Sequence, residues 1–155
     1  MKKFKRTISL KKKEFLGSGL YARIWRISKS SIVKVFNPNF GKALLPFIWD
    51  EIRGSKRIKN ALPIKGLVDV ILPNGTKTIG IVKRYIPYPV NNNEKFYDLY
   101  SSGAFGNSWD IHNNNIRMDE KGRYWVTDTQ TYAVNYIEEN LEVDPFRVKW
   151  PGEEK

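Results

Sequence analysis

The chain has no cysteine, a single histidine (His112) and only two methionines in 155 residues. Without thiols there is no disulfide framework and no thiolate zinc site, and one imidazole does not build a metal centre alone. A bound metal would therefore be a hard ion held by oxygen. Long apolar runs are also missing: no segment approaches the ~20 residues that cross a bilayer, and the basic start is not followed by the apolar stretch and small residues of a secretory signal. The expectation is a soluble, cytoplasmic protein. Acidic residues are scarce too, 16 against 27 lysines and arginines, for a net charge of +11. Such a surface favours anionic partners of any kind, nucleic acid included, without choosing among them.

What is present is enough for one core. The chain is 41% hydrophobic and 14% aromatic, a composition that folds rather than one that stays disordered, and its length suits one compact domain. Residues 1–14 carry seven basic side chains (Lys2, Lys3, Lys5, Arg6, Lys11, Lys12, Lys13) against Glu14, which reads as a solvated arm. From Phe15 to Phe36, β-branched and aromatic residues alternate between turn formers, giving about three strands, and Asn37-Pro38-Asn39 breaks the ladder. Apolar residues at three- and four-residue steps between Lys42 and Asn60 predict a helix entered near Pro46. Two further strand-like runs, GLVDVILP and TKTIGIVKRYIPYPV, flank Asn74-Gly75, a strong hairpin signal. Five strands and one helix thus precede residue 90. Pro87-Tyr88-Pro89 and the asparagines after it read as a connector. Beyond it the pattern predicts a short helix over Glu94 to Tyr100, a loop to Ser108, a hairpin in IRMDEKGRYWVTD turning at Glu120-Lys121-Gly122, and an amphipathic helix near Tyr132 to Leu141. The tail from Val143 shows no periodicity. Trp25, Trp49 and Trp125 fall where core residues are expected.

Several polar positions point to chemistry. Gly17-Ser18-Gly19-Leu20-Tyr21-Ala22 lies between strand-like runs, where glycines let backbone amides approach a phosphate. A plain β-turn would use the same residues, and the strand that follows excludes a dinucleotide-binding turn, which needs a helix there. Lys34 sits within the apolar strand Ile32 to Phe36, a costly place unless the ammonium meets an anion or reaches water at an edge. Glu51 lies on the bulky apolar side of the predicted helix, with Phe47 and Ile48. Asp110, Asn115 and Asp128 could hold magnesium through oxygen while leaving room for phosphate, although such residues also make ordinary turns.

Taken in order, Gly17-x-Gly19-x-x-Ala22-x-Ile24, Lys34, Glu51, Asp110-x4-Asn115 and Asp128 resemble the motif series of the protein-kinase-like superfamily, in particular its reduced bacterial effector and phage members. The likeness spans about Phe15 to Asp128. It implies an α+β, minimal protein-kinase-like fold: a five-stranded antiparallel N-lobe sheet with one helix over residues 15–90, and a strongly truncated C-lobe over 91–155. It implies ATP and Mg as ligands, with Gly17, Gly19, Ala22 and Ile24 covering the nucleotide, Lys34 on its phosphates and Glu51 orienting Lys34. Asp110 would be the catalytic base, and Asn115 and Asp128 the metal ligands. Ser108-Trp109 stands where the family has His-Arg, and Thr129-Gln130 where it has Phe-Gly. The expected activity is a Ser/Thr protein kinase acting on or with a host or cognate protein, in a bacterial or host cytoplasm. The alternatives are a kinase-shaped binding module without turnover, which inhibits or scaffolds a partner, and a small basic nucleic-acid-binding protein.

Overall fold

The computed structural model describes residues 6–90, 93–103, 115–129, 139, 141 and 143–153. The predicted helix over Tyr132 to Leu141 falls almost wholly outside them. The described chain is α+β, with two sheets and two α-helices. Strands β1 (Thr7–Ser9), β2 (Glu14–Ser18), β3 (Ala22–Arg26) and β4 (Ser31–Phe36) lead through a 3-10 segment, Pro38–Ala43, into helix α1 (Leu44–Arg57). Strands β5 (Ile64–Ile71) and β6 (Lys77–Arg84) follow, then β7 (Tyr88–Pro89), α2 (Asn93–Ser101), β8 (Ile116–Met118) and β9 (Tyr124–Val126).

The larger sheet has six strands in the order β1-β5-β6-β4-β3-β2, with β1 parallel to β5 and every other pair antiparallel. This corrects the expected five-stranded antiparallel sheet and, for residues 7–10 alone, the solvated reading of the basic segment, whose Arg6, Lys11, Lys12 and Lys13 are exposed. Ile8 and Leu10 supply the reason. They alternate with polar neighbours, turn to the same face and are buried, so two apolar side chains hold a strand whose flanks are lysines. The second correction concerns Tyr88-Pro89, read as connector. It pairs with Met118 and Arg117 at the edge of a three-stranded sheet, where a proline's missing donor costs no ladder bond.

Period-two alternation divides the larger sheet into two faces. Trp25, Val33, Val35, Val68, Val70 and Val82 fill one, with Trp150 from the tail packed on them. Phe36, Ile79 and Ile81 fill the other, where Phe47 and Ile48 of α1 cover them. The same helical phase that buries Phe47, Ile48 and Glu51 leaves Leu45 and Trp49 outside. Trp49 is 56% exposed, so its expected core position is wrong.

Asn74-Gly75 makes the β5–β6 turn. Gly75 has φ 93°, Leu72 N–H donates to Thr76 O at 2.8 Å, and Thr76 N–H donates to Asn74 Oδ1 at 3.0 Å. Gly80 is required for another reason. A Cβ there would lie 2.6 Å from Val33 Cγ2 and 2.8 Å from Val70 Cγ2, both on fully buried residues. Gly80→Ala is therefore expected to destabilise by about 1–3 kcal/mol through overpacking, read as a lower urea midpoint at unchanged slope.

The smaller sheet packs with α2 around Val90, Phe96, Ile116 and Val126. Backbone bonds from Leu62 N–H to Val126 O and from Val126 N–H to Asn60 O, both 2.8 Å, tie it to the segment after α1. These bonds carry residues 127–129 in under α1. The β8–β9 turn is organised by Asp119, 1% exposed, which accepts from Trp125 Nε1 at 3.0 Å and from the Lys121 and Arg123 amides at 2.9 Å each. The Trp125 hydrogen bond, opposed by burial and helped by those amides and by Arg84, holds its carboxyl below the usual range. A depressed folded pKa gives stability that is complete above the unfolded value of about 3.9 and lost as pH falls through the folded one. Asp119→Asn is thus expected to flatten the acid limb of a urea-midpoint series run from neutral pH to about pH 2.

Candidate functional site

Lys34 faces α1 because β4 alternates: Val33 and Val35 take the opposite face, and Ile32, Lys34 and Phe36 take this one. Its ammonium donates to Glu51 Oε1 at 3.1 Å and lies 3.6 Å from Asp128 Oδ1. Glu51 is completely buried, and the Lys34 side chain is 11% exposed. Burial acts to lower the Lys34 pKa, but the Asp128 and Glu51 carboxylates outweigh it and set the value above the ordinary one. Lys34 is a fixed cation at neutral pH.

A cavity of about 470 Å³ opens beside this cluster. Gly17, Gly19, Ala22, Ile24, Lys34, Asn115 and Asp128 all line it, with Leu62 and Ile86 adding apolar wall. Ile24 stands opposite Lys34 in the β3–β4 register, which brings the glycine-containing turn over the lysine. Neither Gly17 nor Gly19 has a positive φ, and a Cβ on either would meet nothing closer than 3.9 Å. The chain's own sterics do not demand glycine at these two positions. Of the residues singled out in the sequence, eight are thus gathered at the cavity or, for Glu51, directly behind it. Asp110 lies outside the described residues. No protein-family model and no curated protein matches the chain.

Three residues at the site were not among the candidate site residues read from the sequence. Lys83 Nζ donates to Glu51 Oε1 at 2.9 Å and to Thr127 O at 3.0 Å, with 1% of its side chain exposed. Thr129 Oγ1 donates to Glu51 O at 2.9 Å. Arg117 lines the cavity and donates from Nη2 to Pro87 O at 2.8 Å and from Nε to Ile86 O. Lys83 could have been found. It follows Ile79 and Ile81 at steps of two, which fixes it on the face that carries Lys34.

The cavity mixes apolar wall, the cations Lys34, Lys83, Arg84 and Arg117, and hard oxygens. Among the described residues no group of three or more His, Asp or Glu gathers as a metal site. One carboxylate and one amide nevertheless suit magnesium, which keeps several waters and takes further oxygens from phosphate. Among the described residues no helix is long and apolar enough to cross a membrane.

Proposed function

We propose that the chain is a minimal protein-kinase-like domain that binds ATP with magnesium in this cavity and transfers the terminal phosphoryl group to a Ser or Thr hydroxyl of a partner protein. The observation that carries the reading is the meeting of Lys34 with both Glu51, at 3.1 Å, and Asp128, at 3.6 Å, on the wall of one 470 Å³ cavity. A buried ion cluster made only for stability needs no cavity beside it.

Each residue has a task in this reading. Leu62, Ile24 and Ile86 offer an apolar slot for a base, while Gly17 and Gly19, on either side of Ser18, let phosphate approach the backbone at those two positions without a Cβ in the way. Lys34 contacts phosphate oxygens, oriented by Glu51. Asn115 and Asp128 hold magnesium, which when bound neutralises charge on the phosphates. In the transfer the hydroxyl oxygen forms a bond to the γ-phosphorus as the bond to the β-bridging oxygen breaks. ADP leaves, and the hydroxyl proton passes to Asp110, the base implied by the motif order.

A second reading, a kinase-shaped binding module without turnover, draws on the 3.6 Å Lys34–Asp128 approach, in which the prospective phosphate and metal groups neutralise each other. Incubation with γ-labelled ATP, magnesium and a lysate separates the two. Label on protein that disappears in Lys34→Met and Asp110→Asn supports transfer. Nucleotide binding without label supports the module, and equal label in the variants contradicts both assignments.

A further inference from the structure

The cluster behind the cavity has two ammonium groups on a single carboxylate oxygen. Lys34 and Lys83 both reach Glu51 Oε1, at 3.1 and 2.9 Å, from adjacent strands of one sheet. Their second partners differ. Lys34 turns toward Asp128 on the cavity wall, whereas Lys83 donates to the carbonyl of Thr127, the residue before Asp128. Thr129, the residue after it, donates to the Glu51 carbonyl. Residues 127 and 129 are therefore each bonded to the Lys83–Glu51 unit, and Asp128 projects between the two attachments.

We propose that Lys83 is the positioning residue of this site: it keeps Glu51 paired and anchors the 127–129 segment, so that Lys34 is released to an anion in the cavity. The reason is the cost of a lone buried carboxylate. Glu51 is wholly buried, and its Oε2 has no hydrogen-bond partner among the described residues. If Lys34 were its only cation, moving the ammonium onto phosphate would strand that charge, which is strongly unfavourable in a site closed to water. With Lys83 in place the carboxylate stays neutralised whichever way Lys34 turns. The four charges Lys34, Lys83, Glu51 and Asp128 balance before an anion arrives. Lys83 borders the cavity as well, but it is 1% exposed and already bonded to two acceptors, so it works through Glu51 and does not touch the ligand.

The assignment rests on the nucleotide-binding reading, and a double-mutant cycle tests it apart from that reading. Mg-ATP and, separately, inorganic tripolyphosphate are titrated calorimetrically into wild type, Lys83→Met, Glu51→Gln and the double variant, with urea unfolding of each in parallel. Lys83→Met is expected to weaken both ligands about tenfold, the size of one charge-assisted hydrogen bond changing hands. In the Glu51→Gln background no carboxylate needs a second cation and only the Thr127 anchor is lost, so the same change is expected to cost about threefold or less. This second comparison stands even if Lys83→Met alone does not fold. Equal losses in both backgrounds would overturn the assignment, because Lys83 would then act on the ligand directly or on the fold at large. Unchanged affinity in Lys83→Met would overturn it while leaving the nucleotide reading intact. Absence of binding by wild type would overturn both.

Discussion

Glu51→Ala is expected to destabilise the protein by about 3–5 kcal/mol, the largest effect of any single substitution considered. The change removes the one carboxylate oxygen shared by Lys34 and Lys83, and it leaves the Lys83 ammonium, 1% exposed, with the Thr127 carbonyl as its one acceptor among the described residues. Removing the three buried charges together should cost far less. A Glu51→Leu variant combined with Lys34→Met and Lys83→Met leaves only Asp128, whose side chain is 36% exposed and keeps its water, and buried ion clusters replaced by apolar groups of similar volume are often neutral in stability. Urea unfolding of the single and triple variants checks this, and a triple variant as unstable as Glu51→Ala would mean that packing around α1, not charge, sets the cost.

Trp150→Ala is expected to cost about 3 kcal/mol, or roughly 6–12 °C in Tm for a chain of this size. The indole is 7% exposed and packs on the face of the sheet opposite α1. Polar contacts fix the backbone around it: Asn37 and Asn39 Nδ2 donate to Lys149 O at 3.2 and 2.8 Å, and Arg23 lies 4.6 Å over the indole while forming two hydrogen bonds with Glu153. Arg23 stands next to Ala22 and Ile24 on the cavity wall, so the docked tail also braces the strand behind the glycine-containing turn. Phe146, 83% exposed, is the control: its replacement by alanine should change stability by no more than about 0.5 kcal/mol. Thermal melts followed by circular dichroism compare the two.

The contrast between these two sites shows which parts of the molecule could be read from sequence. The face on which Lys34 lies follows from a period of two in β4, and that of Glu51 from its spacing to Phe47 and Ile48 in α1. Both periods are local, so neighbouring residues carry the information. Asn74-Gly75 declared its turn for the same reason, since Gly75 needs a positive φ. Trp150 gave no such signal. A single side chain that docks across the fold leaves no period in an irregular tail. Ile8 and Leu10 were masked by the lysines around them, and the pairing of Tyr88-Pro89 depends on a partner strand near residue 117. Lys83 was legible in principle. Its alternation with Ile79 and Ile81 fixes its face, but nothing local says that a carboxylate waits there.

The proposed activity requires the cavity beside Lys34 to take a magnesium nucleotide. Binding to the native state alone raises stability by about 2.7 kcal/mol at a ligand concentration of about 100 Kd, roughly 5–10 °C here. The decisive measurement is the melting temperature of the wild-type chain across a Mg-ATP series, beside Lys34→Met and Asp128→Asn. A rise in Tm with nucleotide that requires magnesium and is lost in both variants is the predicted result. A flat wild-type series at millimolar nucleotide, or an equal rise in all three proteins, would contradict it.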